Sequence, residues 1–238
     1  MRKTLFKSLA ILGLSSFVFS LHAQSGQYLT VRDMETWSSL NLDFKASKKL
    51  KFGLGEQLRL KDNSSSVQQY FTNLYGEYKI NKSFEVGVEG RFIRNNDDVG
   101  KIQGYENHLR LAAYTSFQHE IKRVGLKYRL QYQNKNELGI SEAEGDDPIQ
   151  KIRLKIGATY NFPKWKFDPK ISGELFRNIG SVNQFSKIRG TIGTKYSFKN
   201  AGAIGAFFRI EKELNETYPQ TSHIIGLNYT YTIKRNKK

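Results

Sequence analysis

Residues 50–60 read LKFGLGEQLRL, and the alternation within this stretch decides the fold class. Large apolar residues from Leu50 to Leu60 alternate with lysine, glycine, glutamine and arginine. Period-two alternation puts successive side chains on opposite faces of an extended chain, whereas an amphipathic helix would need a period of 3.6 residues. The stretch therefore predicts a β-strand with one apolar face and one polar face.

The same alternation recurs along most of the chain. Further segments are centred near Leu42, Leu74, Val88, Leu111, Tyr128, Ile156, Ile171, Ile192, Phe208 and Leu227. Short connections, at residues 47–49, 81–83, 118–120, 161–166 and 199–200, alternate with longer polar ones at residues 61–66, 94–104, 134–148, 177–183 and 212–220. Short turns on one side and longer loops on the other are typical of outer-membrane barrels. We therefore predict an all-β protein, a single transmembrane antiparallel up-and-down β-barrel.

The predicted number of strands is one more than the number of clear segments. Eleven segments are clear, but single-chain bacterial barrels use an even number of strands. The last strand and the strand that starts near Glu35 both run toward the short turns. A short strand around Gln27 to Arg32 would bring the chain up first, which predicts about 12 strands. Ten strands is the alternative, if one segment is not a strand.

The N-terminus has the organisation of a secretory signal peptide. Arg2, Lys3 and Lys7 precede an apolar run from Leu9 to Leu21, and Ala23 offers a small residue for cleavage. The apolar run is shorter than the roughly 20 residues of a membrane-spanning helix, which disfavours the alternative of an anchor helix. We predict residues 1–23 as the signal peptide, cleaved after Ala23, and residues 24–238 as an outer-membrane β-barrel domain of a Gram-negative bacterium.

Composition narrows the chemistry and the partners. The chain has no cysteine, which excludes disulfides, thiolate metal sites and a cysteine nucleophile. Its formal net charge is +16, a balance that suits a polyanionic partner. Export argues against nucleic acid, so we expect contact with outer-membrane lipid and lipopolysaccharide, and insertion by the barrel-assembly machinery. The oligomeric state stays open.

Three features favour a membrane barrel over a soluble barrel, which could simply solvate its charges. Aromatic residues cluster on the apolar face beside the short turns, as an interfacial girdle would require: Phe44, Phe52, Tyr78, Phe84, Tyr160, Phe167 and Tyr196. The opposite face carries both charge signs, which predicts a lumen charge network of Glu56, Arg59, Glu89, Arg91, Arg110, Arg129, Arg153, Glu174, Arg189, Arg209 and Glu211. Glycines on the polar face, such as Gly53 and Gly87, are expected to leave room for the long arginines.

Several short strings stand out along the chain: residues 32–37 (RDMETW), 50–60 (LKFGLGEQLRL), 128–132 (YRLQY), 153–157 (RLKIG), 168–176 (DPKISGELF) and 226–229 (GLNY). With these strings the chain resembles a family of bacterial outer-membrane proteins, domain of unknown function 2490 (DUF2490). The resemblance covers essentially the whole chain after the signal peptide. It implies a barrel in the outer membrane and carries over no activity.

The sequence offers one weak catalytic pair and weak metal candidates. His108 and Glu106 share the polar face of one strand, where a carboxylate could orient a base, but no partnered serine or second acidic pair is evident. Asp97 and Asp98, and the acidic residues between 142 and 147, lack the ligand spacing and glycine of a calcium loop, so solvated loops are favoured. We expect neither a metal nor a cofactor.

The resulting interpretation is a non-catalytic, porin-like barrel that serves as a structural element or as a narrow or plugged pore. Side chains fill the interior of an eight-stranded barrel, and a 16-stranded barrel encloses an aqueous channel. A barrel of about 12 strands would have an interior of intermediate width. An excess of lumen arginine would favour anions if the barrel conducts. The alternative is an outer-membrane rim enzyme, lipid-modifying or proteolytic, that uses His108.

Overall fold

The protein is described by a computed structural model for residues 31–98, 103–141, 148–163, 165–180, 183–199 and 201–235. The predicted signal peptide, residues 1–23, lies outside the described residues. These residues form eleven β-strands: β1 (Val31–Lys45), β2 (Leu50–Lys61), β3 (Ser66–Lys79), β4 (Phe84–Asp97), β5 (Gly104–Ile121), β6 (Val124–Glu137), β7 (Ile149–Tyr160), β8 (Lys170–Ile179), β9 (Phe185–Ser197), β10 (Ala203–Glu213) and β11 (Gln220–Lys234). No helix among them is long and apolar enough to cross a membrane.

The sheet closes into a barrel by a parallel pair of strands. Each strand pairs antiparallel with its neighbours in sequence, and β1 pairs with β11 in parallel, from Val31 opposite Gln220 to Lys45 opposite Lys234. The prediction of a wholly antiparallel sheet of 12 strands, or of ten, was therefore wrong. An odd number of alternating strands brings the first and last strands to the seam in the same direction, and a parallel ladder of slanted hydrogen bonds then pairs their backbone groups. Val31 and Arg32 belong to β1, and residues 27–30 lie outside the described residues.

The connections follow the predicted alternation, with one displaced turn. The expected turn at residues 118–120 belongs to β5, which continues to Ile121, and the connection to β6 is only Lys122 and Arg123. His119 is therefore a strand residue, and its ring stacks on Tyr128 with 5.9 Å between centroids. The acidic residues between 142 and 147 lie outside the described residues.

The loop between β2 and β3 is shaped by side chains that tolerate left-handed backbone. Asp62, Asn63 and Ser64 have φ values of 54°, 57° and 64°. Asp and Asn visit this region more readily than other non-glycine residues because their short polar side chains can form local hydrogen bonds. The Asp33 carboxylate of β1 accepts hydrogen bonds from the backbone N–H groups of Asp62, at 3.0 Å, and Asn63, at 2.8 Å. The loop is thereby tied to the barrel rim at the closing strand.

The two faces of the barrel wall differ as the alternation predicted. Outward-facing Val88 and Leu74 are 62% and 61% exposed, while inward-facing Trp37 and Phe71 are 3% and 4% exposed. At the short-turn end the outer face carries contacting aromatic rings, for example Phe167 with Tyr196 at 5.2 Å between centroids. Large apolar side chains are thus concentrated on the surface that faces away from the lumen.

Inward glycines accommodate aromatic rings rather than arginines. Gly53 pairs with Tyr75, Gly87 pairs with Tyr114, and each ring lies where the Cβ of a larger residue would be, 2.1 Å and 2.4 Å from the nearest ring atom. Tyr114 continues over its glycine to donate a 2.6 Å hydrogen bond to Glu77. The expectation that Gly53 and Gly87 make room for arginines was wrong, because the cross-strand aromatic neighbour takes the space first.

This packing generates a prediction about Gly87. Gly87→Ala should destabilise the barrel by about 1–3 kcal/mol, because the added methyl group overlaps the Tyr114 ring and forces it from its rotamer. Gly173→Ala is the matched control, since nothing lies within 4 Å of the position of its added Cβ. Denaturant unfolding of the barrel in detergent micelles measures both. Equal stability of the two variants would contradict the ring packing.

Candidate functional site

Ten of the eleven residues predicted for the lumen network face the lumen. Glu56 does not: it is exposed and lies opposite Leu40 of β1 on the outer face. Its position is even-numbered, as are those of Leu54 and Leu58 beside it, so the period-two rule itself assigns Glu56 to the apolar face. The prediction that Glu56 lines the lumen was wrong.

The largest ion-pair cluster of the lumen is centred on Glu174. The Glu174 side chain has no exposed surface, and its carboxylate forms ion pairs with Arg153 at 2.6 Å, Lys155 at 2.8 Å and Arg189 at 3.1 Å. Arg189 also contacts Glu211, which is paired with Lys187 as well. Charge-assisted hydrogen bonds of this kind are the strong ones, and here two carboxylates hold four cations together.

A second cluster crosses β4 and β5. Glu89 pairs with Arg110 of the adjacent strand and with Arg91 at 3.3 Å. The guanidinium of Arg91 also lies 3.9 Å from the centroid of the Phe71 ring on the adjacent strand β3. Glu89 therefore forms ion pairs with two arginines, just as Glu211 and Glu174 each form ion pairs with more than one cation.

Arg129 belongs to a separate group near the short turns. Its Nε donates to Ser116 at 3.0 Å, and its guanidinium lies 3.9 Å from the centroid of the Tyr114 ring. The nearest carboxylates are those of Glu85, at 3.8 Å, and Glu77, at 4.0 Å. The predicted single network is thus two clusters at mid-height and one nearer the short-turn end.

Trp37 contacts the two predicted lumen arginines that belong to none of these clusters, Arg59 and Arg209. We did not predict Trp37 as a site residue. Trp37 is buried in the lumen and donates from Nε1 to Glu35 at 2.8 Å. The guanidinium of Arg59, its cross-strand partner, lies 3.6 Å from the centroid of the Trp37 ring, and that of Arg209 lies 4.8 Å from it. Cation–π contacts of this length hold guanidinium groups in place without neutralising them. The signal was available, because Trp37 has the same parity as inward-facing Asn41.

A cavity of about 700 Å³ lies inside the barrel. Its wall carries eleven basic side chains but only two acidic ones, Asp168 and Glu211. Lysines that the sequence analysis did not assign to the lumen, among them Lys151, Lys155 and Lys187, add to the positive charge. Glu174 and Glu89 lie behind the cations that they bind, so the surface that faces the cavity is strongly positive.

The structure brings the weak catalytic pair, His108 and Glu106, together on β5. His108 Nε2 lies 3.2 Å from the Glu106 carboxylate, and the buried Nδ1 of His108 has no hydrogen-bond partner among the described residues. No hydroxyl group hydrogen-bonds to His108 in that part of the chain. His108 and Glu106 are therefore in contact, whereas a catalytic role stays a prediction.

Among the acidic residues considered as calcium ligands, Asp98 is described by the structure and is bound to a lysine instead. Asp98 accepts a 2.5 Å hydrogen bond from Lys61, which holds the pKa of the exposed Asp98 carboxyl below its ordinary value. The described residues contain no group of three or more histidine, aspartate and glutamate side chains that could hold a metal ion.

The Glu174 cluster supports a prediction on stability. Glu174→Gln should destabilise the barrel by about 3–5 kcal/mol, because removing one partner of a buried ion pair leaves the other charges uncompensated. Glu120→Gln is the control, with an expected change within about 0.5 kcal/mol, since Glu120 is exposed near the end of β5, beside a short turn, and forms no ion pair among the described residues. Unfolding midpoints in detergent micelles compare the two variants. A Glu174→Gln protein as stable as Glu120→Gln would show that the cluster is not structurally important.

Comparison with known proteins gives a family. No curated protein matches the sequence. Among solved structures, the β domain of the Bordetella autotransporter BrkA is similar, with a TM-score of 0.47 and 8% sequence identity over 77% of this chain and 82% of that chain. The family described as Protein of unknown function (DUF2490) matches residues 34–215, well over half of the chain. The chain therefore belongs to the DUF2490 family, as the resemblance of its sequence motifs predicted.

Proposed function

We propose that this protein is a non-catalytic outer-membrane β-barrel, exported through its N-terminal segment, with a lumen that is plugged or narrow and lined by positive charge. The observation that carries the proposal is the separation of the two faces of the wall. Outward side chains such as Val88 are largely exposed and apolar, and inward ones such as Arg189 and Glu174 are charged. Water is a poor solvent for such an outer face, and hydrocarbon is a good one.

The aromatic rings at the short-turn end support the same placement. Phe162, Trp165 and Phe167 are 46%, 61% and 43% exposed and lie beside Tyr160 and Tyr196. Tryptophan and tyrosine favour the boundary between lipid and water, where an apolar ring body meets a polar tip. Such a ring of aromatic residues would hold the barrel at a fixed depth in the bilayer.

The contents of the lumen support a narrow passage. Trp37 of β1 and Phe71 of β3 project inward on either side of β2, whose Arg59 contacts both rings, and Phe176 is also buried inside the barrel. A barrel of eleven strands is wider than the eight-stranded barrels that side chains fill, so large residues are needed to occupy its interior. The basic wall of the cavity would favour anions among the solutes that pass.

The alternative of a rim enzyme rests on the contact between His108 and Glu106 alone. A carboxylate can orient a histidine base, but an enzyme also needs a nucleophile or a second acid within hydrogen-bonding distance. We therefore favour the non-catalytic proposal.

A charge on the outer face tests the membrane placement. Val88→Arg should cost about 2–4 kcal/mol for the barrel folded in lipid vesicles, because an arginine near mid-strand would lie in hydrocarbon. Thr217→Arg, in the exposed loop between β10 and β11, should change stability little, because that loop would lie in water. Urea unfolding from vesicles measures both variants. A natively processed protein that stays monomeric in the periplasm without detergent, and that tolerates Val88→Arg, would refute the proposal.

Conductance tests the state of the lumen. Wild-type protein in planar bilayers should give small currents with anion preference, and Trp37→Ala should raise the single-channel conductance severalfold by removing a side chain that fills the lumen. Trp165→Ala is the matched control, because Trp165 lies among exposed rings near a short turn. Large, steady conductance of the wild-type protein would contradict a narrow or plugged lumen.

A further inference from the structure

Arg59 and Arg209 differ from the other arginines at mid-height in the lumen. Neither has a carboxylate within ion-pair distance in the part of the chain that the structure describes. Arg59 donates only a long 3.3 Å hydrogen bond, from Nη2 to Gln57, and its buried Nε has no acceptor. Arg209 donates from Nε to Thr191 at 3.0 Å. Both guanidinium groups therefore keep donors that no acidic side chain uses.

The local carboxylates are already engaged. Glu174, Glu211 and Glu89 hold the other cations at this height, and Glu35 accepts the hydrogen bond of Trp37. Placing two cations in a partly buried lumen without counter-charges is unfavourable, because each is partly removed from water and repels the other. Stability alone would be served better by a neutral residue at one of these positions.

Trp37 holds both guanidinium groups in position. Arg59 lies 3.6 Å and Arg209 lies 4.8 Å from the centroid of the Trp37 ring, and the hydrogen bond to Glu35 restrains that ring. The planar guanidinium group offers a fork of N–H donors that matches two oxygen atoms of a carboxylate or a phosphate. Restraint of both groups before binding lowers the entropy that a ligand must overcome.

The space beside these arginines is large enough for a small molecule. Both side chains line the cavity of about 700 Å³, which falls within the range of roughly 300–1,000 Å³ found for small-molecule sites. Nine further basic side chains share the wall of the cavity with them, against two acidic ones. A ligand with several negative charges would be attracted more strongly than a monovalent ion, because each charge meets its own set of donors.

We propose that the lumen contains a binding site for a small polyvalent oxyanion, a molecule bearing phosphate or carboxylate groups, in the cavity that Arg59 and Arg209 line. The bound anion supplies the negative charge that these two arginines lack among the described residues. The inference goes beyond the proposed function, since binding to the isolated barrel requires neither a bilayer nor conductance.

The experiment uses full-length protein, folded in detergent, that carries Trp165→Phe. The chain has two tryptophans, so this change leaves Trp37 as the only indole and makes it a reporter inside the site. Pyrophosphate, inorganic phosphate and citrate are titrated at constant ionic strength, with sodium chloride as the baseline, and tryptophan fluorescence and titration calorimetry are recorded. We expect saturable binding of pyrophosphate or citrate. The preferred probe distinguishes phosphate from carboxylate ligands.

Substitutions localise the site. Arg209→Gln and Arg59→Gln should each weaken binding at least about tenfold, because each removes charge-assisted hydrogen bonds. Arg209→Lys should retain part of the affinity, since the charge remains but the fork is lost. Arg123→Gln, in the exposed turn after β5, removes the same charge far from the lumen and should bind as tightly as the parent protein.

Two results would overturn the site. One is a response to chloride as strong as that to pyrophosphate at equal ionic strength, and the other is an equal affinity of Arg209→Gln and Arg123→Gln. Circular dichroism and heat-dependent electrophoretic mobility confirm that each variant is folded, and Arg209→Lys provides the test if a glutamine variant does not fold. Because binding is measured in detergent, its failure is separate from any failure of membrane insertion or conductance.

Discussion

The parallel ladder between β1 and β11 is the contact on which the rest of the structure depends. It joins the two ends of the sheet over fifteen residue pairs and leaves no open edge among the described strands. Closure creates an inside and an outside, and the pleat then assigns every second residue to one or the other. Without it, the charged face of the sheet would be one side of an open surface and would enclose no cavity.

Inside the barrel, a minority of carboxylates organises a majority of cations. Glu174 shows how: one fully buried carboxylate holds three basic groups from β7 and β9, and its neighbour Glu211 is linked to it through Arg189. Aromatic rings stabilise the cations that the carboxylates do not reach, as Trp37 does for Arg59 and Arg209. Cation–π contact leaves the charge of an arginine available, whereas ion pairing uses it. This difference separates the structural arginines of the lumen from those that could meet a ligand.

Sequence reasoning found most of the lumen wall and missed its specific contacts. Arg189 and Glu174 were assigned correctly because strand parity is a local property. Glu56 was misassigned by its charge, although its even position between Leu54 and Leu58 already placed it on the outer face. The ion pairs between these side chains could not be predicted from the sequence. They depend on the register between strands and on which long side chains reach one another inside the barrel. Trp37 acquires its importance only when β2 and β10 place Arg59 and Arg209 over one ring.

Alternation of apolar and polar residues by itself determined that this chain is all-β, where its strands lie and which side chains share a face, because the two-residue period of an extended strand is written in the order of the residues. The number of strands in the closed barrel, the parallel seam, the partition of the charges into clusters and the space over Gly53 and Gly87 were decided only by the tertiary structure. These features depend on distances between residues far apart in the chain, and the order of residues in one strand does not contain them. The strand count is an example, because the barrel closes with eleven strands only where β1 meets β11, and these strands lie at opposite ends of the described chain.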